Sequence, residues 1–430
     1  MSNRRAAAQP EIATADAPKP GMLAPFTALD RRIWLLALAR CINTMGFSLV
    51  MPFMAMHLVE DRGASGALYG GIYLVAGLVA ALGQGISGEL SDRIGRRKVM
   101  VSGLAARAVN LAALGVAVLD ASPIWVIGLL VITNGLLRSQ FEPAASAAVT
   151  ELAKPDERVA AFGLQRIGLN VGWAVGPALG GFLASQSYGA LFFVAAPATL
   201  LTILAVLPVK DRPSIRIAAV PEKRPRLTPR AATEALRENR IFATYLVLVL
   251  LGSVMTVQIF STLSLYASTM LAFTKADVGL LYTVNGLAVV LFQVPAVAIA
   301  KPWGMRRALF VGALLYAVAY VIFGSAATFP GMAFGMAVLT AGEVIFAPAL
   351  SDTAATLGDP ARMGRAFGLF GLAQTLGVSL GPLVGGLAFD HLRTEPLVMW
   401  GLMAAGMVLV GLAYSRFGRR ERVFERMPVG

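Results

Sequence analysis

Two charged residues, Arg138 and Glu142, occur in the otherwise apolar segment LLRSQFEPAAS, residues 136–146. An ionised side chain at the centre of a membrane-spanning helix costs roughly 2.5–3.5 kcal/mol on insertion scales, so the two residues indicate a partner, a water-filled cavity or a function. In a continuous helix their spacing places both on one face, where they can form an ion pair, although the Arg-before-Glu order is the weaker one.

Three further ionisable residues fall within apolar segments: Arg40, Arg166 and Glu343. At about 1.5 Å of helix rise per residue, Arg40 and Arg166 lie at a depth similar to that of Glu142. Glu343 has no acid or base within one helical turn, and an isolated carboxyl in apolar surroundings favours its protonated form. Glu343 is therefore the predicted carrier of a coupling proton that competes with substrate, and Glu142 is the second candidate.

An alternative interpretation is that Arg40, Glu142 and Arg166 form a buried salt-bridge network that only stabilises the N-terminal half. Four amide side chains are polar enough to line a cavity, or they hydrogen-bond between helices. The candidate substrate-binding residues are Arg40, Asn43, Arg138, Glu142, Arg166, Asn170, Gln258, Asn285 and Glu343.

The composition explains why charges in these segments are exceptional. The chain has 430 residues, of which 57% are hydrophobic and only 14% are charged, which is typical of a membrane protein. A membrane-spanning helix needs about 20 mostly apolar residues. Twelve such windows predict an all-α polytopic protein, near 33–58, 66–89, 98–119, 123–150, 160–184, 190–208, 241–267, 277–300, 306–327, 331–356, 364–388 and 396–415.

The chain repeats itself, because residues 141–181 align without a gap on residues 346–386. Helices 4–5 and 10–11 are therefore copies, and we predict two pseudo-symmetric six-helix bundles related by an axis along the membrane normal. In transporters built this way the substrate site lies between the halves near the midplane. The identical pairs are Pro143/Pro348, Ser146/Ser351, Pro155/Pro360, Phe162/Phe367, Gly176/Gly381, Pro177/Pro382 and Gly181/Gly386.

The predicted organisation follows from these windows and from the charge distribution. We expect a disordered cytoplasmic tail (1–32), an N-terminal bundle (33–208), a basic cytoplasmic linker (209–240), a C-terminal bundle (241–415) and a basic cytoplasmic tail (416–430). The loops of the other side contain only Arg62, Lys275 and Arg393 among Lys and Arg. Because Lys and Arg accumulate in cytoplasmic loops, both termini are predicted to be cytoplasmic. The net charge of +13 thus reflects topology and not nucleic-acid binding.

The loop GELSDRIGRRKVM, residues 88–100, resembles the cytoplasmic signature of the major facilitator superfamily. The resemblance implies that this loop holds the two halves together on the cytoplasmic side. We expect Gly88 to permit close helix packing and Gly95 to provide a tight turn. The matching residues are Gly88, Asp92, Arg93, Gly95 and Arg96.

The segment GLNVGWAVGPALGG, residues 168–181, is similar to the helix 5 signature of the antiporter members of that superfamily. Its residues are Gly172, Gly176, Pro177, Gly180 and Gly181. Small residues four apart let helices approach closely, and proline bends a helix. Helix 11 repeats the pattern, so packing alone remains an alternative explanation.

Overall the chain resembles the twelve-helix drug:proton antiporters, which implies proton-driven efflux of small amphipathic molecules across the inner membrane of a prokaryote. The expected partners are a small-molecule substrate, protons and the lipid bilayer, with no nucleic acid, and we expect a monomer. An excess of arginine over glutamate within the membrane instead favours an anionic metabolite or siderophore, taken up or exported with protons. A nontransporting receptor is a minor alternative.

Other classes find little support in the residues. Cys41 is the only cysteine, which excludes an intramolecular disulfide and a cysteine-based metal cluster. His57 and His391 fall at outer helix ends, where snorkelling or contact with solvent is expected rather than metal binding or a proton relay. Without a convergent nucleophile, base or metal set we predict no enzyme, no metal and no cofactor. The sequence also lacks a Walker-type phosphate loop, so no use of ATP is expected.

Overall fold

The computed structural model describes residues 24–27, 29–154, 157–209, 239–359 and 363–420. Within these ranges the regular structure is entirely helical. Most of the predicted tails and linker (1–32, 209–240 and 416–430) lies outside the described residues, as do Pro155 and Pro360 of the repeat.

Eleven helical stretches in the described ranges are long and apolar enough to cross a membrane. The longest, Lys275–Ser325, contains two helices joined by the 3-10 turn Lys301–Trp303, so the predicted twelve-helix all-α fold is confirmed. The helices are α1 Arg31–Asp61, α2 Gly66–Ile94, α3 Arg96–Leu119, α4 Ile124–Leu152, α5 Arg158–Gln186, α6 Tyr188–Val206, α7 Arg240–Thr269, α8 Lys275–Ala300, α9 Gly304–Ser325, α10 Phe329–Leu357, α11 Met363–Leu392 and α12 Pro396–Arg420.

Three of these helices are interrupted near mid-membrane. In α4 the helix Ile124–Arg138 ends and a second helix, Phe141–Leu152, begins. Pro143 contributes to this break, because a proline ring clashes with the carbonyl four residues earlier and cannot donate to it. The equivalent Pro348 lies inside a continuous α10, so proline alone does not interrupt the helix. Similar breaks interrupt α1 between Ser48 and Met51, before Pro52, and α7 at the 3-10 turn Val257–Phe260. The interruptions free backbone carbonyls and redirect side chains at the depth of the predicted site.

Glycines on α5 and α11 display the internal symmetry. On α5 they press against α1, and on α11 their counterparts press against α7. At each position a Cβ would collide with the neighbouring helix, so glycine is required for this approach. The corresponding pairs are Gly172/Gly377, Gly176/Gly381 and Gly180/Gly385.

We call the membrane side where α2 ends and α3 begins, with Arg93, Arg96, Arg97 and Lys98, the basic end, and the other side the opposite end. Contacts between the two halves concentrate toward the opposite end. A Cβ on Gly66 of α2 would lie 2.6 Å from the carbonyl oxygen of Gly386 on α11.

Toward the basic end, the helices at the boundary between the two halves lie apart from each other. A Cβ on Gly85 of α2 or on Gly371 of α11 would meet no atom within 4 Å. In the described ranges, the hydrogen bonds and ion pairs between side chains at this end each stay within one half, as in the Arg96–Glu151 pair at 3.1 Å. The protein is therefore open at its basic end and closed at its opposite end.

Candidate functional site

A cavity of about 530 Å³ lies between the halves on the side of α5 and α8. Side chains of α1, α5, α7, α8 and α10 line it, and we call it the α5/α8 cavity. It extends from Phe162 near the basic end to Trp173 and Phe260 near mid-membrane. Five of the predicted substrate-binding residues lie on its wall: Arg40, Arg166, Asn170, Asn285 and Glu343.

Glu343 projects from α10 into this cavity. Its Oε2 accepts a hydrogen bond of 2.9 Å from Nδ2 of Asn285, which also donates to Oγ1 of Thr340 at 2.9 Å. Within the described chain, no Lys, Arg or His nitrogen lies within 4.0 Å of its carboxyl oxygens. Glu343 is thus a partly buried acid without a counterion, held in place by an amide.

The ion pair near mid-membrane is not the one that the spacing suggested. Arg40 of α1 donates to Oε2 of Glu142, and both side chains are partly buried. Arg138 makes no ion pair with Glu142, because α4 is interrupted at residues 139–140 and lacks the continuous helix that a spacing of four requires. The predicted Arg138–Glu142 pair is therefore wrong, whereas Arg40, one of the three candidate guanidiniums, lies beside the carboxylate.

A second cavity, of about 360 Å³, lies inside the N-terminal half and is closed by α11. We call it the α2/α11 cavity. Arg138 lines it, with the guanidinium carbon 4.2 Å from the centre of the Phe47 ring. Arg107 of α3 also lines it, 1% exposed, and donates to Oδ1 of Asn43.

Arg107 is the residue that sequence reasoning missed. It lies in the middle of the apolar window 98–119, and a charge at that depth should have counted as a candidate. With it, four arginines and two glutamates face the interior at mid-membrane depth. The cavity region is therefore more positive than the sequence analysis implied.

Two predicted cavity residues serve to join helices instead. Asn43 is 5% exposed and accepts from Arg107, which connects α1 to α3. Gln258 is fully buried, and its Nε2 donates to the carbonyl oxygens of Val254 and Gly381 at 2.7 and 3.0 Å. Neither residue lines the two cavities, which favours the alternative that these amides hydrogen-bond between helices.

A row of aromatic rings lies between the two cavities, and it bounds the α5/α8 cavity at Trp173 and Phe260. The rings of Phe47 and Trp173 meet edge to face with centres 6.0 Å apart. Trp173 then contacts Phe260 of the other half at 4.6 Å, and Phe260 stacks on Tyr282 at 5.8 Å. This row joins the N-terminal half to the C-terminal half at the inner end of the α5/α8 cavity.

The loop between α2 and α3 forms its own network within the N-terminal half. Arg96 pairs with Asp92 and lies 3.1 Å from Glu151, whereas Arg93 pairs with Glu89. Gly95 has φ +105°, a conformation that favours glycine. At Gly88 a Cβ would meet no atom within 4 Å, so the predicted close packing there is wrong in the basic-end-open conformation.

The glycine motif of α5 contacts two different neighbours. Gly172, Gly176 and Gly180 face α1, whereas a Cβ on Gly181 would lie 2.6 Å from the carbonyl oxygen of Lys275 in the other half. The carbonyl oxygen of Pro177 also approaches α8, at Gly279. Both explanations of the motif, antiporter signature and packing, are compatible with this arrangement.

His57 differs from expectation. It is 5% exposed, and its Nδ1 lies 3.2 Å from Oδ2 of Asp61, while its ring contacts Tyr188 at 4.8 Å. The predicted contact with solvent is wrong for His57, because the last turn of α1 widens into a π-helix and the ring packs against α6. His391 is exposed, as expected.

The sequence profile of the Major Facilitator Superfamily matches residues 36–382 and 266–426. The chain belongs to the major facilitator superfamily. It is a multi-pass membrane transporter, and the resemblance of the loop at residues 88–100 is confirmed at the level of the family.

Several relatives of this transporter match most of its length. The uncharacterized MFS-type transporter YqjV of Bacillus subtilis is 26% identical over 396 residues, covering 91% of this chain and 94% of the relative. The multidrug resistance protein MdtH of Edwardsiella ictaluri is 26% identical over 398 residues, covering 89% and 94%.

Solved structures share the fold at low identity. The nucleoside transporter NupG superposes with a TM-score of 0.73 at 14% identity, covering 90% of this chain and 99% of that one. A bacterial homologue of the human lysosomal transporter Spinster, in an inward-facing and occupied conformation, gives 0.70 at 14%, covering 93% and 98%. These likenesses concern the fold alone.

Proposed function

We propose that this transporter exports small amphipathic molecules in exchange for protons, by alternating access, as a monomer in the inner membrane of a prokaryote. The basic end then faces the cytoplasm together with both termini, in accordance with the distribution of Lys and Arg. The MdtH relatives, named for multidrug resistance, support export.

The environment of Glu343 is the observation that most strongly supports this proposal. An acid without a counterion, at mid-membrane depth and on the wall of a cavity shared by both halves, exchanges a proton with whichever side is open. Asn285 donates to the ionised carboxylate and stabilises it during the deprotonated part of the cycle. Substrate entry from the basic end would release the proton, and protonation from the opposite side would release the substrate.

Glu343→Gln tests this role, because glutamine retains the shape and hydrogen bonding of the side chain but cannot carry the proton. In proteoliposomes with an imposed pH gradient, we expect the variant to transport no more than protein-free vesicles do. Exchange of labelled for unlabelled substrate without a gradient needs no net proton movement, so it should continue, but at a higher substrate concentration, because glutamine resembles the protonated acid that releases substrate. Gradient-driven transport by the variant at the wild-type rate would refute the coupling role.

Two controls separate Glu343 from other acids. Glu395→Gln removes an exposed carboxylate at the opposite end and should leave coupling unchanged. Glu142→Gln tests the second candidate: because Arg40 holds this carboxylate in an ion pair, we expect coupling to persist. Loss of coupling in Glu142→Gln, with coupling retained in Glu343→Gln, would transfer the role to Glu142.

A second candidate function is uptake of an anion together with protons. The four arginines against two glutamates at mid-membrane depth favour it, since guanidinium groups bind carboxylates and phosphates. The direction of driven transport distinguishes the two functions. Exchange predicts substrate accumulation in vesicles that are acidic inside, whereas symport predicts accumulation in vesicles that are alkaline inside.

A further inference from the structure

We infer that the α2/α11 cavity is a binding site for amphipathic organic anions, whose charged group is held by Arg107 and Arg138. The inference deepens the proposed function by naming its substrate class. It rests on that function only for the direction of transport, because binding itself needs no gradient.

The charge of the cavity is the first argument. Arg107 and Arg138 both line it, and the described residues on its wall include no aspartate or glutamate. The nearby Glu142 is paired with Arg40 on the other side of the α4 break. Two guanidinium groups therefore line one cavity whose described wall has no carboxylate, and an anion supplied by the substrate would compensate them.

The hydrogen-bonding state of the two arginines is the second argument. Arg107 is 1% exposed, and its Nε is buried without an acceptor in the described chain, although one terminal nitrogen donates to Asn43. The guanidinium carbon of Arg138 lies 4.2 Å from the centre of the Phe47 ring, and Arg138 makes no ion pair in the described chain. A guanidinium that contacts a ring and has no carboxylate partner keeps N–H groups available for a carboxylate, sulfonate or phosphonate.

The apolar residues of the cavity wall determine which uncharged part of a ligand fits. Met51, Met54, Leu111, Leu114 and Phe192 line an apolar part of the same cavity. Methionine side chains adapt to different shapes, so this part accepts varied apolar groups. A volume of about 360 Å³ is near the lower limit for cavities that bind drug-sized ligands. The fitting ligand is a compact aromatic or branched group with one anionic end.

The two cavities then perform separate tasks. The rings of Phe47 and Trp173 stand between the anion site and the cavity that contains Glu343. A substrate anion on Arg138 would touch Phe47, whose ring contacts Trp173 and through it the C-terminal half. Substrate and proton would thus act from different sides of one aromatic row.

Binding to the purified chain in lipid nanodiscs tests the inference with three probes of nearly equal size: 1-naphthylacetate, 1-naphthylacetamide and 1-naphthylmethylammonium. Isothermal titration should show binding of the anion and at least about tenfold weaker binding of the amide and the ammonium ion, since hydrogen bonds to charged groups contribute that much. Arg138→Gln should weaken binding of the anion by about ten- to hundredfold and leave binding of the amide unchanged.

The matched control is Arg31→Gln, which removes an exposed guanidinium at the basic end of α1, outside both cavities, and should not change binding. Arg138→Lys retains the charge and should restore part of the preference for the anion, which excludes a folding defect as the cause. Equal or tighter binding of the ammonium ion by the wild type, no binding of any probe, or unchanged anion binding in Arg138→Gln would each overturn the inference.

The binding assay and the coupling assay fail independently. If Glu343→Gln abolishes gradient-driven transport while anion binding is unchanged in Arg138→Gln, the proposed anion site is refuted and the proposed exchange stands. If anion binding depends on Arg138 while no proton moves with any substrate, the site stands and proton coupling is wrong.

Discussion

At the scale of single residues, the buried charges differ in what they require. Arg40 and Glu142 compensate each other across α1 and α4, with side chains 18% and 30% exposed. Removing one partner of such a pair leaves an uncompensated charge in the membrane interior, whereas removing both leaves none. The pair therefore contributes to stability mainly because each side chain neutralises a charge that would otherwise be unpaired in the membrane interior.

A double-mutant cycle on Arg40→Gln and Glu142→Gln measures this coupling. We expect each single variant to lower the thermal stability of the detergent-solubilised protein, and the double variant to be more stable than the sum of the two effects predicts. The partial exposure reduces the size of the effect, so the direction is the test. Strictly additive effects would show that the two side chains do not interact.

The sequence predicted which residue types matter at this scale better than it predicted their partners. Arg40, Arg166, Asn285 and Glu343 do face one cavity, because charges avoid lipid and therefore turn toward the protein interior. Partners depend on the rotation of each helix and on its kinks, and the sequence does not specify these angles. The predicted Arg138–Glu142 ion pair was wrong for that reason.

At the scale of helices, α5 presents neighbouring glycines to two different surfaces. Gly180 faces α1 within the N-terminal half, and Gly181 faces α8 in the other half. One face therefore determines how the half is assembled, and the other determines how closely the halves approach.

Substitution by alanine should separate these two effects. A Cβ at position 180 would lie 2.6 Å from Cε2 of Phe53, so Gly180→Ala should destabilise the protein by about 1–3 kcal/mol through overpacking. Gly181→Ala should instead slow transport with a smaller loss of thermal stability, because its clash lies between the halves.

Gly401→Ala on α12 is the control, because a Cβ there meets no atom within 4 Å. Thermal unfolding and transport rate, measured on all three variants, provide the comparison. If Gly181→Ala unfolds as easily as Gly180→Ala while transporting normally, the division between the two faces is wrong.

Helices were the elements most easily predicted from sequence. Long apolar windows leave only one way to satisfy backbone groups in lipid, and the ungapped repeat already paired Gly176 with Gly381 before any contact was known. Interruptions were harder to predict, because the repeat pairs Pro143 with Pro348 and yet α4 is broken before its proline whereas α10 is continuous. The prediction of close packing at Gly88 was also wrong, because the environment of this residue depends on which end of the transporter is open.

At the scale of the whole molecule, the opposite end is closed by contacts between the halves. The carboxylate of Asp390 at the end of α11 accepts from the backbone N–H groups of Gly66 and Ala67 at the start of α2, at 2.7 and 2.9 Å. Glu60 of α1 likewise accepts from Ser268 of α7. A carboxylate at a helix N-terminus is favoured by unsatisfied N–H groups and by the helix dipole, so Asp390 stabilises the basic-end-open conformation.

Asp390→Asn should shift the conformational equilibrium away from that conformation by about 1–3 kcal/mol, because the charge-assisted bonds are weakened. Hydrogen–deuterium exchange should become faster at Gly66 and Ala67 and slower at the basic ends of α5 and α8 as that end closes. Asp120→Asn, an exposed acid at the same end, is the matched control. Faster exchange at both ends would indicate general destabilisation and contradict this role.

The contact between Trp173 and Phe260 has an optical consequence. The indole meets a ring of the other half at 4.6 Å, so separation of the halves at the opposite end must pull the two rings apart and change the polarity around the indole. Trp173 is thus a native fluorophore at the point where the moving bodies meet. Its emission would follow the rocking of the halves in real time, without an attached dye, and would give the duration of each stroke of the transport cycle.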